Sequence, residues 1–161
     1  MKLHHKRFGS LELVPNNVRV LDGYKQPTAA LHDDSPLTVE MSYSAADAVR
    51  SPIFGVTIVN EAGQVCYETT SERSAEIDEA RSTGVVAVRI DDLALMDGKY
   101  FVDVGAYERA WAYGYDYHAK AYPLVVHRNG KGTMRGSPQT ARAIWSVRSR
   151  AHGTDATLQS T

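Results

Sequence analysis

The chain has 161 residues, 43% hydrophobic and 23% charged, with a formal net charge of −1. That is enough apolar material for one well-buried core, and it argues against disorder and against electrostatic capture of nucleic acid. The single cysteine, Cys66, allows no internal disulfide, the Met1-Lys2-Leu3-His4-His5 start lacks the apolar run of a secretory leader, and no stretch approaches the roughly 20 apolar residues of a membrane-spanning helix. The expectation is a cytoplasmic domain that inserts directly in no membrane.

Along the chain the dominant signal is alternation. Leu37, Val39, Met41 and Tyr43 point one way and Thr38, Glu40, Ser42 and Ser44 the other, which predicts a half-buried strand. The same period predicts strands at Phe54-Val56-Ile58, Val65-Tyr67, Val86-Val88-Ile90 and Tyr100-Val102-Val104-Ala106. Turn chemistry separates them: Pro15-Asn16-Asn17, Asp33-Asp34-Ser35-Pro36, Asn60-Glu61-Ala62-Gly63, Met96-Asp97-Gly98 and Arg128-Asn129-Gly130. Asn60 to Gly63 reads as a β-hairpin with Gly63 at positive φ. The one helical candidate, Ser71 to Arg81, offers only Ala75, Ile77 and Ala80 as an apolar face and predicts no more than a short surface turn.

Seven or eight short strands without a βαβ rhythm predict an all-β fold, an antiparallel β-sandwich of immunoglobulin-like or jelly-roll type. Residues 1–146 are expected to form a single domain. After Trp145 the sequence is polar and loses its period, so residues 147–161 are expected to form a flexible C-terminal tail.

Three runs occur in a distinctive order: Ser51-Pro52-Ile53-Phe54-Gly55-Val56-Thr57-Ile58, then Gly63-Gln64-Val65-Cys66-Tyr67-Glu68-Thr69-Thr70, then Asp92-Leu93-Ala94-Leu95-Met96-Asp97-Gly98-Lys99-Tyr100. With Tyr115-Asp116-Tyr117-His118 and a closing Trp145, this order resembles the Wzt C-terminal domain family over about residues 8 to 146. The resemblance implies a non-catalytic, carbohydrate-binding β-sandwich that recognises an O-antigen-like polysaccharide, near its modified non-reducing end, for export by an ABC transporter. It implies nucleotide-binding and membrane subunits of that transporter as partners, association with the inner membrane through them, and a homodimer, to which Gly132 to Trp145 could contribute by pairing with a neighbouring protomer. The chain has no G-x-x-x-x-G-K-[ST] phosphate loop and so carries no ATPase of its own.

Sugars present apolar C–H faces ringed by hydroxyls, so their sites need flat aromatic platforms and directional polar groups. The segment from Tyr107 to His118 supplies both: Tyr107, Trp111, Tyr113, Tyr115 and Tyr117, with Glu108, Arg109 and Asp116 among them. The bland alternative for Tyr115 and Tyr117 is that they are strand residues covering a core edge. A second candidate surface is the outward strand face carrying Glu40, Ser42, Ser44, Thr57, Gln64, Glu68, Arg89 and Asp103, of which Asp103 and Arg89 are the leading members; the solvent side of any half-buried sheet looks similar. Asp116 and His118, two apart on a strand, share a face and could orient one another.

No cofactor and no metal site is expected. His4-His5, His32, His118, His127 and His152 lack ligand spacing, Cys66 reads as a small strand residue, and neither opposed carboxylates nor a nucleophile motif is present. The competing reading is a protein-interaction sandwich whose Trp111 and Tyr113 dock the transporter or a glycan-modifying enzyme.

Overall fold

The computed structural model of the chain describes residues 6–32, 35–72, 79–128 and 141–150, and every regular element among them is a strand. The strands are β1 (Lys6–Phe8), β2 (Leu13–Leu21), β3 (Ala30–His32), β4 (Leu37–Arg50), β5 (Ile53–Asn60), β6 (Val65–Thr70), β7 (Glu79–Asp91), β8 (Gly98–Tyr107), β9 (Gly114–His127) and β10 (Arg142–Arg150). The first sheet runs β1-β9-β8-β5-β6, with β3 also paired to β9; the second runs β10-β7-β4-β2. All pairings are antiparallel except β3 on β9, where Ala30 to His32 lie parallel to Val125 to His127.

The alternation sets the core. Leu37, Val39, Met41 and Tyr43 of β4 are at most 1% exposed, and they face Phe54, Val56 and Ile58 of β5 and Val102 and Val104 of β8 across the sandwich, with Val86, Val88 and Ile90 of β7 beside them. Full burial of each such side chain contributes about 1.5–3 kcal/mol. The Tyr43 and Phe54 rings meet at 5.5 Å, and the Tyr43 ring crosses β7 so closely at Gly84 that a Cβ there would overlap it. The β5–β6 hairpin forms as expected: Gly63 has φ 83° and its amide donates to the Asn60 carbonyl at 2.9 Å. Leu93 and Leu95, in the β7–β8 connection, are buried, and the Tyr100 hydroxyl donates to the Met96 carbonyl at 2.8 Å. The Leu-x-Leu-x-x-Gly-x-Tyr run is thus a plug that leads into β8.

Two sequence expectations change. β7 begins at Glu79, so the end of the expected surface turn is strand, while residues 73–78 lie outside the described residues. β10 runs through Arg150 and pairs along β7 of the same chain. Residues 147–150 therefore belong to a sheet, because Ala143, Trp145 and Val147 keep the alternation and pack against the core. The Trp145 indole donates to Thr69 Oγ1 at 3.1 Å, tying the second sheet to the β6 edge of the first. Of the segment expected to pair with a neighbouring protomer, residues 142–145 pair with β7 of their own chain; 132–140 and the remaining tail, 151–161, lie outside the described residues.

Candidate functional site

On the outward face of the first sheet, antiparallel register places Tyr117 (β9), Gly105 (β8), Gly55 (β5) and Thr70 (β6) in one row across four strands. The next row holds Asp103, Thr57 and Glu68. Tyr107, at the end of β8, lies back over this surface. A Cβ on Gly105 would come within 2.5 Å of the Tyr107 hydroxyl oxygen, and one on Gly55 within 3.2 Å of its ring. Gly105 leaves the space that ring occupies and Gly55 lets it approach a little closer than a Cβ would allow, the reason a glycine sits mid-strand. The ring also explains why Gly55 is buried although it points out of the sandwich.

Tyr107 is the centre of an aromatic cluster. Trp111 lies 5.1 Å from it, centroid to centroid and tilted by 36°, and Tyr117 lies 6.4 Å away, tilted by 52°; such pairs contribute about 0.5–1.5 kcal/mol beyond the area they bury. Trp111 occupies the β8–β9 loop at φ 61°, a left-handed conformation uncommon for a bulky residue and a mark of local strain. Three bonds hold it there. Its amide donates to the Glu108 carbonyl at 2.8 Å, the Glu108 carboxylate accepts from the Ala110 amide, and the Trp111 indole donates to Glu72 Oε1 at 3.0 Å. Glu108 thus shapes the loop. Trp111 remains 45% exposed, which leaves an aromatic surface open to solvent.

The polar groups of this face converge on carboxylates. Asp103, 4% exposed, accepts from the Lys120 amide at 2.7 Å and from the Tyr117 hydroxyl at 3.3 Å. Burial pushes its carboxyl above the usual range, against the opposing pull of those two bonds and of the Lys120 charge. Burial, then the nearby Asp103 charge, pushes the Tyr117 hydroxyl up to about 12; Tyr107 is raised by burial first and then by Tyr117, Glu68 and Asp103. Both phenols stay neutral at ordinary pH. Thr57 donates to Glu68 at 3.5 Å.

The remaining sequence candidates are distributed elsewhere. Tyr113, 48% exposed, donates to Glu12 at 3.3 Å and meets Tyr115 edge-on at 5.4 Å. Tyr115 is 5% exposed and joins the core cluster, and the pair lines a separate cleft of about 280 Å³ with Glu12, Asp47 and Arg50. Asp116 is fully buried, its carboxylate 3.0 Å from His118 Nε2, and His118 Nδ1 lies 2.9 Å from the Tyr122 hydroxyl. That chain faces the interior, since Asp116 and His118 pair with Ala106 and Val104 of the core; Asp116 is therefore no surface contact. Arg109 is exposed on the loop and forms no hydrogen bond or ion pair with the described residues. Arg89 lies on the opposite side of the molecule, on β7, paired to Asp91 at 3.0 Å beside a groove of about 570 Å³ that Glu40, Ile144 and Arg148 also line. Glu40, Ser42 and Ser44 share that second sheet, so the second candidate surface is two faces back to back.

Sequence reasoning missed Gly55, Gly105 and Glu72. The two glycines carried a usable signal, each interrupting an otherwise apolar strand; Glu72 carried none.

The sequence model of the Wzt C-terminal domain family matches residues 4–137. Among 13 matching chains of solved structures is one described as the crystal structure of the C-terminal domain of wzt. It superposes with a TM-score of 0.72 at 14% identity, covering 82% of this chain and 81% of that one. At that identity the likeness is one of fold. No curated protein sequence matches the chain. Among the described residues no helix is long and apolar enough to cross a membrane.

Proposed function

The chain belongs to the Wzt C-terminal domain family, and from that premise we propose that it is a non-catalytic domain that binds a bacterial surface polysaccharide of O-antigen type and confers substrate recognition on an ABC transporter. Its partners in this reading are the glycan and the transporter's nucleotide-binding and membrane subunits, with the domain acting as a dimer on the cytoplasmic side of the inner membrane. No bond in the glycan is made or broken.

The observation that supports glycan binding best is the platform of Tyr107, Trp111 and Tyr117 on its glycine floor. A pyranose ring stacks its C–H face on an exposed aromatic face, and the hydroxyls at its edge need acceptors at fixed positions. The platform offers the open Trp111 surface, with the exposed carboxylates of Glu68 and Glu72 beside it and Asp103 buried under its edge, holding Tyr117. Pre-ordering matters here, because side chains already fixed by packing and hydrogen bonds lose little entropy when a weakly held sugar arrives.

Calorimetric titration of surface polysaccharide, purified from the bacterium that encodes the chain, tests the reading. We expect saturable binding that Trp111→Ala weakens by about tenfold or more, the usual scale for an aromatic anchor. No saturable signal, with Trp111→Ala indistinguishable from the parent, would favour a protein-docking sandwich instead.

A further inference from the structure

The aromatic platform is rimmed by acids, and we infer that it accepts uncharged or amine-bearing sugar units and rejects uronic acids and other anionic ones. This rests on the glycan-binding reading above and deepens it.

Three carboxylates surround the platform. Asp103 is bonded to the Tyr117 hydroxyl, Glu72 to the Trp111 indole, and Glu68 to Thr57 in the row beside Asp103. These bonds determine what the surface can offer a ligand. The indole N–H and the Tyr117 O–H, the donors an anionic sugar would seek, are already engaged by the protein's own carboxylates. Besides the Tyr107 hydroxyl, the groups left over are carboxylate lone pairs, those of the exposed Glu68 and Glu72 above all, which accept and never donate. A sugar hydroxyl or ammonium satisfies them, and an ammonium gains further from the aromatic faces. A uronate brings another acceptor-only anion and meets like charge.

The cations of the described residues on this side are outnumbered: Lys120 beside Asp103, and Arg109, exposed on the β8–β9 loop two positions before Trp111, stand against Asp103, Glu68, Glu72 and Glu108. Lys120 gives Asp103 its backbone amide and one positive charge nearby. Lys25, Arg89 and Arg148 line the groove on the other sheet, across the thickness of the sandwich. Asp103 is held in place by two bonds and is nearly inaccessible, so counter-ions from solvent screen it less than they screen an exposed acid.

The test uses three hexaoses of one backbone, β-1,4-linked glucose, glucosamine and glucuronic acid, titrated into the intact chain by NMR. In about 20 mM salt the glucuronic hexaose is expected to bind about tenfold more weakly than the glucose hexaose, and the glucosamine hexaose at least as tightly as glucose; the gap should shrink several-fold near 0.5 M salt. The exposed double variant Glu68→Gln/Glu72→Gln keeps an amide oxygen as acceptor at both positions and should narrow the ratio between the glucuronic and glucose hexaoses at low salt, whatever its effect on the absolute affinity for glucose. Equal or tighter binding of the glucuronic hexaose overturns the inference and leaves glycan binding standing. Absence of binding by all three removes the platform as a glycan site, and the inference with it.

Discussion

The outward faces of the two sheets arise from the same alternation and end up unlike one another. On the second sheet the outward residues Arg19, Glu40 and Arg89 do what polar strand residues ordinarily do: Arg19 pairs with Glu40 at 2.7 Å, Arg89 pairs with Asp91, and both arginines keep about half of their side-chain surface in solvent. On the first sheet the outward Gly55, Thr57 and Asp103 are buried, because Tyr107 folds back over two glycines and draws Trp111 and Tyr117 around it. Exposed ion pairs are worth little and bind little. An aromatic layer laid on a sheet, with a buried carboxylate beside it, is costly to build and is what a binding site requires. Period 2 decides which way a side chain points; it does not decide what lies on top.

The contrast can be broken most severely at its centre. Tyr107→Ala removes the ring that organises the first face, and is expected to abolish measurable glycan binding and lower unfolding free energy by roughly 2 kcal/mol or more in a urea titration. Gly105→Ala leaves every aromatic in place but puts a Cβ where the Tyr107 hydroxyl sits; about tenfold weaker binding is expected, with a stability loss of about 1–2 kcal/mol from overpacking. Trp111→Phe keeps a stacking face and loses the bond to Glu72, so a loss of only about threefold is expected, as for one hydrogen bond. At the other extreme, Arg89→Ala on the second face should change neither binding nor stability beyond about 0.5 kcal/mol.

The pH dependence separates the faces as well. The Tyr107 and Tyr117 phenols ionise later in the folded chain than in the unfolded one, where their value is near 10. Their contribution is therefore fully present below pH 10 and is lost as pH rises toward the folded value, about 12 for Tyr117. Stability should fall across that alkaline window, and Tyr117→Phe should flatten the fall while Arg89→Ala leaves it unchanged, read by denaturant midpoints at a series of pH values.

Much of this architecture was legible in the sequence. The core strands β4, β5, β7 and β8 follow from apolar residues at every second position, and the β5–β6 hairpin follows from Gly63, whose φ of 83° only glycine adopts without strain. The aromatic segment was legible as a concentration, not as an arrangement. Tyr115 and Tyr117 have the same parity and would share a face on a regular strand, yet Tyr115 enters the core and Tyr117 faces out. The cause is a bulge: Ala106 pairs with Asp116 and Tyr107 with Gly114, leaving Tyr115 as the extra residue that re-aims its neighbours. A second irregularity between Val102 and Val104 brings the Lys120 amide, at φ 53°, onto Asp103. Bulges depend on cross-strand register, which local sequence does not encode. The tether from Glu72 to Trp111 spans 39 positions and joins two connections, so no periodicity could reveal it.

Backbone amide chemical shifts, recorded while surface polysaccharide from the encoding bacterium is titrated into the chain, test the central claim most directly. The account predicts that the largest changes fall on Gly55, Thr57, Asp103, Gly105, Trp111 and Tyr117, on the outward face of the first sheet. Changes confined to the strand face around Arg89, Ile144 and Arg148, or none that saturate, would contradict it.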